Sequence, residues 1–181
     1  MKTWQVGCVV MGSMIVLAGN VMAGEMHHAV PPGSPEFERI KSLAGRWEGT
    51  AKESDAEAKP TSVEYKVTSG GSVVVETLCP GTPHEMVSVY HDQNGKLAMT
   101  HYCMLGNRPL LQLTSSDSQH IALSLAEGSG IAPGEQHMHA LTLTWQDPNH
   151  LTQAWTGYEG GKAKPPMIMT LSRVEPATNT N

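Results

Sequence analysis

From residue 46 onward, apolar and polar positions alternate in short runs, the period of two expected of a strand with one covered face. The runs predict strands over 46–52, 62–69, 72–78, 84–91, 96–103, 109–114, 119–125, 138–145, 150–157 and 166–173. Turn residues separate them: Ser69-Gly70-Gly71, Pro80-Gly81-Thr82-Pro83, Gln93-Asn94-Gly95, Gly106-Asn107-Arg108-Pro109, Asp147-Pro148-Asn149 and Gly160-Gly161. Asn94-Gly95 is the sharpest signal, because both central residues of a tight hairpin turn take positive φ. Connections this short leave no room for crossover helices, so neighbouring strands must be antiparallel. One short helix precedes them. Ser34 is its N-cap, Pro35 its first helical residue and Glu36 an acid in its first turn, and Gly45 stops it.

The expected fold class is therefore all-β: an up-and-down antiparallel β-barrel of about ten strands with a short N-terminal helix. Closure removes exposed sheet edges; a two-sheet sandwich is the alternative. The inward phase carries Leu97, Met99, His101 and Cys103, then His137, His139, Leu141, Leu143 and Trp145. Leu151, Gln153 and Trp155 follow, and then Met167, Met169, Leu171 and Arg173. A lining that mixes Met, Gln and His with Leu suits a barrel with a cavity. Met filling gaps in a dry core is the competing explanation.

Ahead of the helix, Lys2 precedes an apolar run from Val6 to Gly19, too short to span a bilayer as a helix, followed by Val21-Met22-Ala23. This reads as a secretory signal over residues 1–23, cleaved after Ala23. A flexible leader is expected over 24–35, the barrel over 36–174 and a disordered tail over 175–181. The expected location is periplasmic or secreted, with no integral membrane segment once the signal is removed. Of 181 residues, 12 are Lys or Arg and 17 are Asp or Glu, a net charge of −5. With no basic surplus to neutralise phosphates and only one Phe, four Tyr and four Trp for stacking, nucleic acid is excluded as a partner. The sequence does not address oligomeric state.

Leu43-Ala44-Gly45-Arg46-Trp47-Glu48-Gly49 places Gly-x-Trp-x-Gly on the first strand, just after the helix. This resembles the opening of calycin barrels, the group of lipocalins, fatty-acid-binding proteins and nitrobindin-like haem barrels. The resemblance implies that Trp47 closes one barrel end and that Arg173, on the last strand, packs over it. The stretch from Pro83-His84-Glu85-Met86 to Thr100-His101-Tyr102-Cys103 resembles uncharacterised exported bacterial proteins of a domain-of-unknown-function family. Nitrobindin-like barrels have a further Gly where this chain has Ala51, and take a haem-ligating His from near the C-terminus, whereas no His lies beyond His150.

Cys79 and Cys103 follow the signal segment, and in an oxidising compartment a disulfide is their simplest state. Such a bridge would close a loop of about 25 residues and contribute roughly 3 kcal/mol. Geometry complicates it, and the Pro80–Pro83 loop would have to fold across for the bond to form. One strand separates them, so their strands lie about 9.6 Å apart, against a Cα limit of about 7 Å. Cys79, His84, His101 and Cys103 could instead converge as a Cys₂His₂ set for zinc, though without the usual close-spaced Cys pair. Cys103 beside a His could be an activated thiol. Inert thiols, a core His101 and a loop His84 are the plainer alternatives. Glu135, His137 and His139 share a strand phase, yet no Glu follows at the spacing a cupin metal site has, so a surface His pair is expected. Glu76 and Glu85 either line the barrel or sit solvated at strand ends. Gly-x-Ser-x-Gly, phosphate-binding Gly loops and His-Glu-x-x-His are absent.

The resulting expectation is an exported barrel binding a small, mostly apolar molecule in its cavity, with no catalytic activity assigned. Met86, Tyr90, Met99, His101, Cys103 and Trp155 would line the site, with His84, Asn107 and Arg108 at its rim. No metal and no cofactor is assigned. The alternatives are an enzyme using the Cys/His cluster at the mouth, a haem-binding nitrobindin-like barrel, and an interaction module with a filled barrel.

Overall fold

The computed structural model describes residues 32–175; the expected signal segment, most of the expected leader and the expected tail beyond residue 175 lie outside the described residues. Helix α1 spans Pro35–Lys41, and Ser34 caps it by accepting a hydrogen bond from the Phe37 N–H at 3.2 Å. The Ser34 hydroxyl also donates to Asp92 at 2.7 Å, which ties the start of the helix to the sheet. The strands follow as β1 Gly45–Glu53, β2 Lys59–Thr68, β3 Val73–Leu78, β4 Met86–Gln93, β5 Lys96–Tyr102 and β6 Leu110–Ser116. Next come β7 His120–Leu125, β8 His137–Asp147, β9 His150–Glu159, the two-residue β10 Lys162–Ala163, and β11 Met167–Arg173. Each expected strand is present within a few residues of its expected bounds. The last is preceded by a separate short piece because Pro165 and Pro166 have no N–H for the ladder.

All pairings are antiparallel. Consecutive strands from β1 to β9 are neighbours, β11 lies between β9 and β1, and β8 pairs with β9 to complete the ring. The result is a closed ten-stranded barrel with one helix near its N-terminus, and β10 appended beside β9.

The helix sits at the barrel end made by the β4–β5, β6–β7 and β8–β9 turns. Phe37 and Ile40, with Leu43 just beyond the helix, are buried in the same core as Trp47. Arg39 lies 4.4 Å from the Trp145 ring and donates to the Asp117 carbonyl. Trp47 is directly paired with Arg173, whose guanidinium carbon lies 4.4 Å over the indole. That guanidinium also donates to the carbonyls of Ala44 and Ser42, both at 2.8 Å, while the indole N–H donates to Leu43 O at 2.8 Å. First strand, last strand and helix exit are thus fastened together at one pole.

Gly49, the final glycine of Gly-x-Trp-x-Gly, is required by space. A Cβ built there would lie 1.9 Å from the Thr170 carbonyl oxygen on β11. We expect Gly49→Ala to cost about 2 kcal/mol or more of unfolding free energy, read from a urea transition. An unchanged midpoint would show that β1 and β11 can separate there at no cost.

Candidate functional site

The middle of the barrel is filled and partly polar. Val74, Glu76 and Leu78 alternate inward on β3, and Glu76 is fully buried. Its carboxyl accepts from the Tyr90 hydroxyl at 3.0 Å and from the Gln153 amide at 2.7 Å, with Tyr65 and Ser88 also beside it. The Gln153 amide makes a second donation to the Tyr65 oxygen at 2.5 Å, and its carbonyl accepts the Trp155 indole N–H at 2.8 Å. Loss of hydration raises the Glu76 pKa against the pull of these donors, and drives the Tyr65 and Tyr90 hydroxyls well above the usual phenol range. His101 pairs through Nδ1 with Ser88 Oγ at 3.0 Å, and its ring lies against Trp155 with centroids 4.9 Å apart. The His101 Nε2 is buried and has no hydrogen-bond partner among the described residues, and burial pushes the His101 pKa down to about 4.

Above this layer, at the end away from the helix, is a hollow of about 340 Å³. Met86, Cys103, Met104, Leu105, Met138, Trp155 and Met167 form most of its wall, with Glu53, Gln136 and Lys164 as polar members. Trp155 is only 1% exposed, so it serves as a floor whose position is set by Gln153. Gly157, two residues further along the same face of β9, lines the hollow without a side chain of its own.

A β-bulge decides what else faces inward. Met138 pairs with Gly157 and Ala140 with Thr156, leaving His139 as the extra residue. Met138 therefore turns toward the core, and the expected inward phase of His137 and His139 is reversed. His137 Nδ1 contacts Glu135 O at 2.7 Å, its Nε2 lies 3.1 Å from His139 Nδ1, and His139 stacks on Tyr158 at 3.7 Å. The expected surface pair is thus half-covered: His137 is buried, and His139 is half-buried beside Tyr158.

Of the expected lining residues, Met86, Cys103 and Trp155 are on the hollow, whereas Tyr90, Met99 and His101 have no exposed surface and belong to the packed interior beneath it. The cavity is therefore confined to the mouth rather than running down the barrel. Asn107 is a strut, donating to the Glu135 carboxylate at 2.9 Å and to Gln136 O at 2.8 Å, and Arg108 is exposed. His84 precedes β4 rather than starting it, and lies with Cys79 and Thr61 in a separate hollow on the outer wall.

The expected Cys79–Cys103 bridge is not formed. Both thiols are free, Cys79 facing Thr61 Oγ1 at 3.5 Å and Cys103 facing the mouth. The β4 strand stands between them, and the Pro80–Pro83 loop does not fold across. The Cys₂His₂ set is likewise dispersed over two hollows and the core, and among the described residues no three His, Cys, Asp or Glu side chains are placed to share a metal ion. Met104, Leu105 and Met138 join the wall unannounced by the strand alternation, which does place Met167 and Gln153 inward; that Tyr65, Ser88 and Gln153 meet Glu76 has no local signal.

No family model matches the chain, and no curated protein matches it. Solved structures do. A protein of unknown function of the DUF3598 family from Nostoc punctiforme superposes with a TM-score of 0.53 at 12% identity, over 75% of this chain and 49% of that one. The chain thus spans about half of that protein's length. Rv2717c from M. tuberculosis superposes with a TM-score of 0.50 at 16% identity, over 80% of this chain and 100% of that one. At such identities the likeness is one of fold: an antiparallel β-barrel with uncharacterised neighbours.

His101 gives the interior a pH dependence. Its folded pKa lies below the unfolded value of 6.5, so the unfolded chain binds the extra proton first as pH falls. Stability should be lost progressively between pH 6.5 and about 4, by up to about 3 kcal/mol. His101→Gln should flatten that decline in urea unfolding at stepped pH. A wild-type acid limb as steep in the variant would remove His101 as its cause.

Proposed function

We propose that this protein is an exported, calycin-type barrel that holds a small, mostly apolar molecule in the hollow at its open end. Export is supported by the Val6–Gly19 apolar run and the small residues ending at Ala23. Calycin membership is supported by Trp47 between Gly45 and Gly49, with Arg173 across its ring.

The observation that carries the reading is the vacancy at Gly157. A glycine inside a strand weakens it unless something needs the space. A Cβ there would meet only ordinary neighbours, His137 O at 3.6 Å and Met138 Sδ at 3.7 Å. The backbone therefore does not demand glycine, and the space opens into the hollow. At about 340 Å³ the hollow lies toward the small end of known ligand pockets. Its apolar wall stabilises a guest by removing surface from water, and the polar members orient it. The reading assigns no reaction, because His84, His101 and Cys103, the residues of the enzyme alternative, do not meet.

The test is binding of a neutral apolar fluorophore, N-phenyl-1-naphthylamine, followed by its emission. Gly157→Leu fills the hollow from its own wall and should weaken binding by at least about tenfold, while thermal unfolding moves by only a few degrees. Native mass spectrometry of protein purified from its own host should show a retained mass that the variant lacks. Equal probe affinity in a folded Gly157→Leu protein would overturn the reading.

A further inference from the structure

The wall of the mouth hollow is rich in sulfur. Of eleven methionines, six fall among the described residues, and four of those six, Met86, Met104, Met138 and Met167, line this one hollow. They reach it from β4, from the β5–β6 loop, from β8 and from β11, so they surround the opening rather than stack along one strand. The Cys103 thiol joins them. The Met138 sulfur is placed directly by its 3.7 Å approach to the Cβ position of Gly157, which is itself on the wall.

Gap-filling explains the other two methionines, Met99 and Met169, which are buried at 0% and 1% exposure. Met86, Met138 and Met167 also pack against the core on one side, but all four present a face to the hollow. Met104 is 60% exposed, and Met86, Met138 and Met167 are partly open to solvent. An apolar wall could be built as well from Leu.

What Met offers and Leu does not is a soft, polarisable lone pair on a flexible arm, a ligand type that selects soft metal ions. A thioether needs no deprotonation to bind a metal, unlike imidazole or carboxylate. The surroundings favour the same class. No trio of His, Cys, Asp or Glu is placed to compete for a harder divalent ion among the described residues. The Trp155 ring that floors the hollow gives a cation a π face.

We propose that Met86, Met104, Met138 and Met167, with Cys103 as a thiolate whose proton is released to solvent on binding, form a binding site for a soft monovalent metal ion, Cu(I) or Ag(I), at the open end of the barrel. This site shares the hollow with the apolar guest proposed above but does not depend on that guest.

The experiment uses the full chain with Cys8 and Cys79 replaced by Ser, so that Cys103 is the remaining thiol. It is compared with the same protein carrying Met86→Leu, Met104→Leu, Met138→Leu and Met167→Leu, changes that nearly conserve volume and apolarity. Ag(I) nitrate in chloride-free buffer is titrated by calorimetry and native mass spectrometry. Cu(I) is then titrated anaerobically against a chromophoric chelator. The parent should take up one ion that the Leu protein binds at least about tenfold more weakly. N-phenyl-1-naphthylamine binding should stay within about twofold between the two, because the hollow keeps its size and apolar character. Met104→Leu alone, at an exposed loop position, should give a measurable part of the loss and covers the case in which the fourfold variant fails to fold. Equal metal affinity in parent and Leu proteins would overturn the proposal, as would a loss caused by Cys103→Ser alone with no contribution from any methionine. Neither outcome touches the apolar-guest reading, which stands or falls on Gly157→Leu.

Discussion

A carboxyl group with no water around it can remain inside a protein only if its oxygens are met by donors. The interior of this barrel is arranged around that requirement at Glu76. Tyr90 and Gln153 supply the donors, and the Gln153 amide spends its other hydrogen on Tyr65. The Gln153 carbonyl oxygen is then free to accept the Trp155 indole N–H. Trp155 cannot swing without stranding that oxygen, and its ring in turn covers His101. A chain of polar contacts that starts at one acid on β3 therefore ends by fixing the surface on which anything entering the mouth must rest.

The two poles divide the work. At the helix end, Trp47, Arg173 and the carbonyls of Ser42 and Ala44 interlock, and Phe37, Ile40 and Leu43 fill the space beneath. At the other end the wall is methionine-rich and stops short of filling the ring. The Nostoc and mycobacterial barrels share the frame at identities of 12% and 16%, so the frame carries no commitment to chemistry. The proposed function therefore rests on the few side chains around the opening, above all on the gap at Gly157.

Much of the frame was legible from the chain. Period-two alternation and strong turn residues define elements locally, and Ser34-Pro35 marks a helix start by its own backbone chemistry. The inward order of Leu97, Met99 and His101 followed from the same alternation. What escaped was set by contacts between distant strands. The bulge at His139 depends on how β8 meets β9, and it inverted the faces of His137 and Met138. Nothing near Glu76 in the sequence announces that Tyr65, eleven residues earlier, and Gln153, 77 residues later, share its site. The mouth wall draws on β1, β4, the β5–β6 loop, β8, β9 and β11, so no single stretch carried its signature. One signal was available: a glycine at 157, in phase with Leu151, Gln153 and Trp155 on an otherwise continuous strand.

The pairing of β1 with β11 has a consequence for how the chain acquires its shape. The opening strand has one neighbour within reach of a short turn and another that is the final strand to be synthesised. Until residues 167–173 arrive, two open borders persist, one on β1 and one on β9, each a template for pairing with another chain. Completion of the cylinder is thus a late, non-local event. A chain ending before Met167 would forfeit the Arg173 clasp and leave both borders unguarded together.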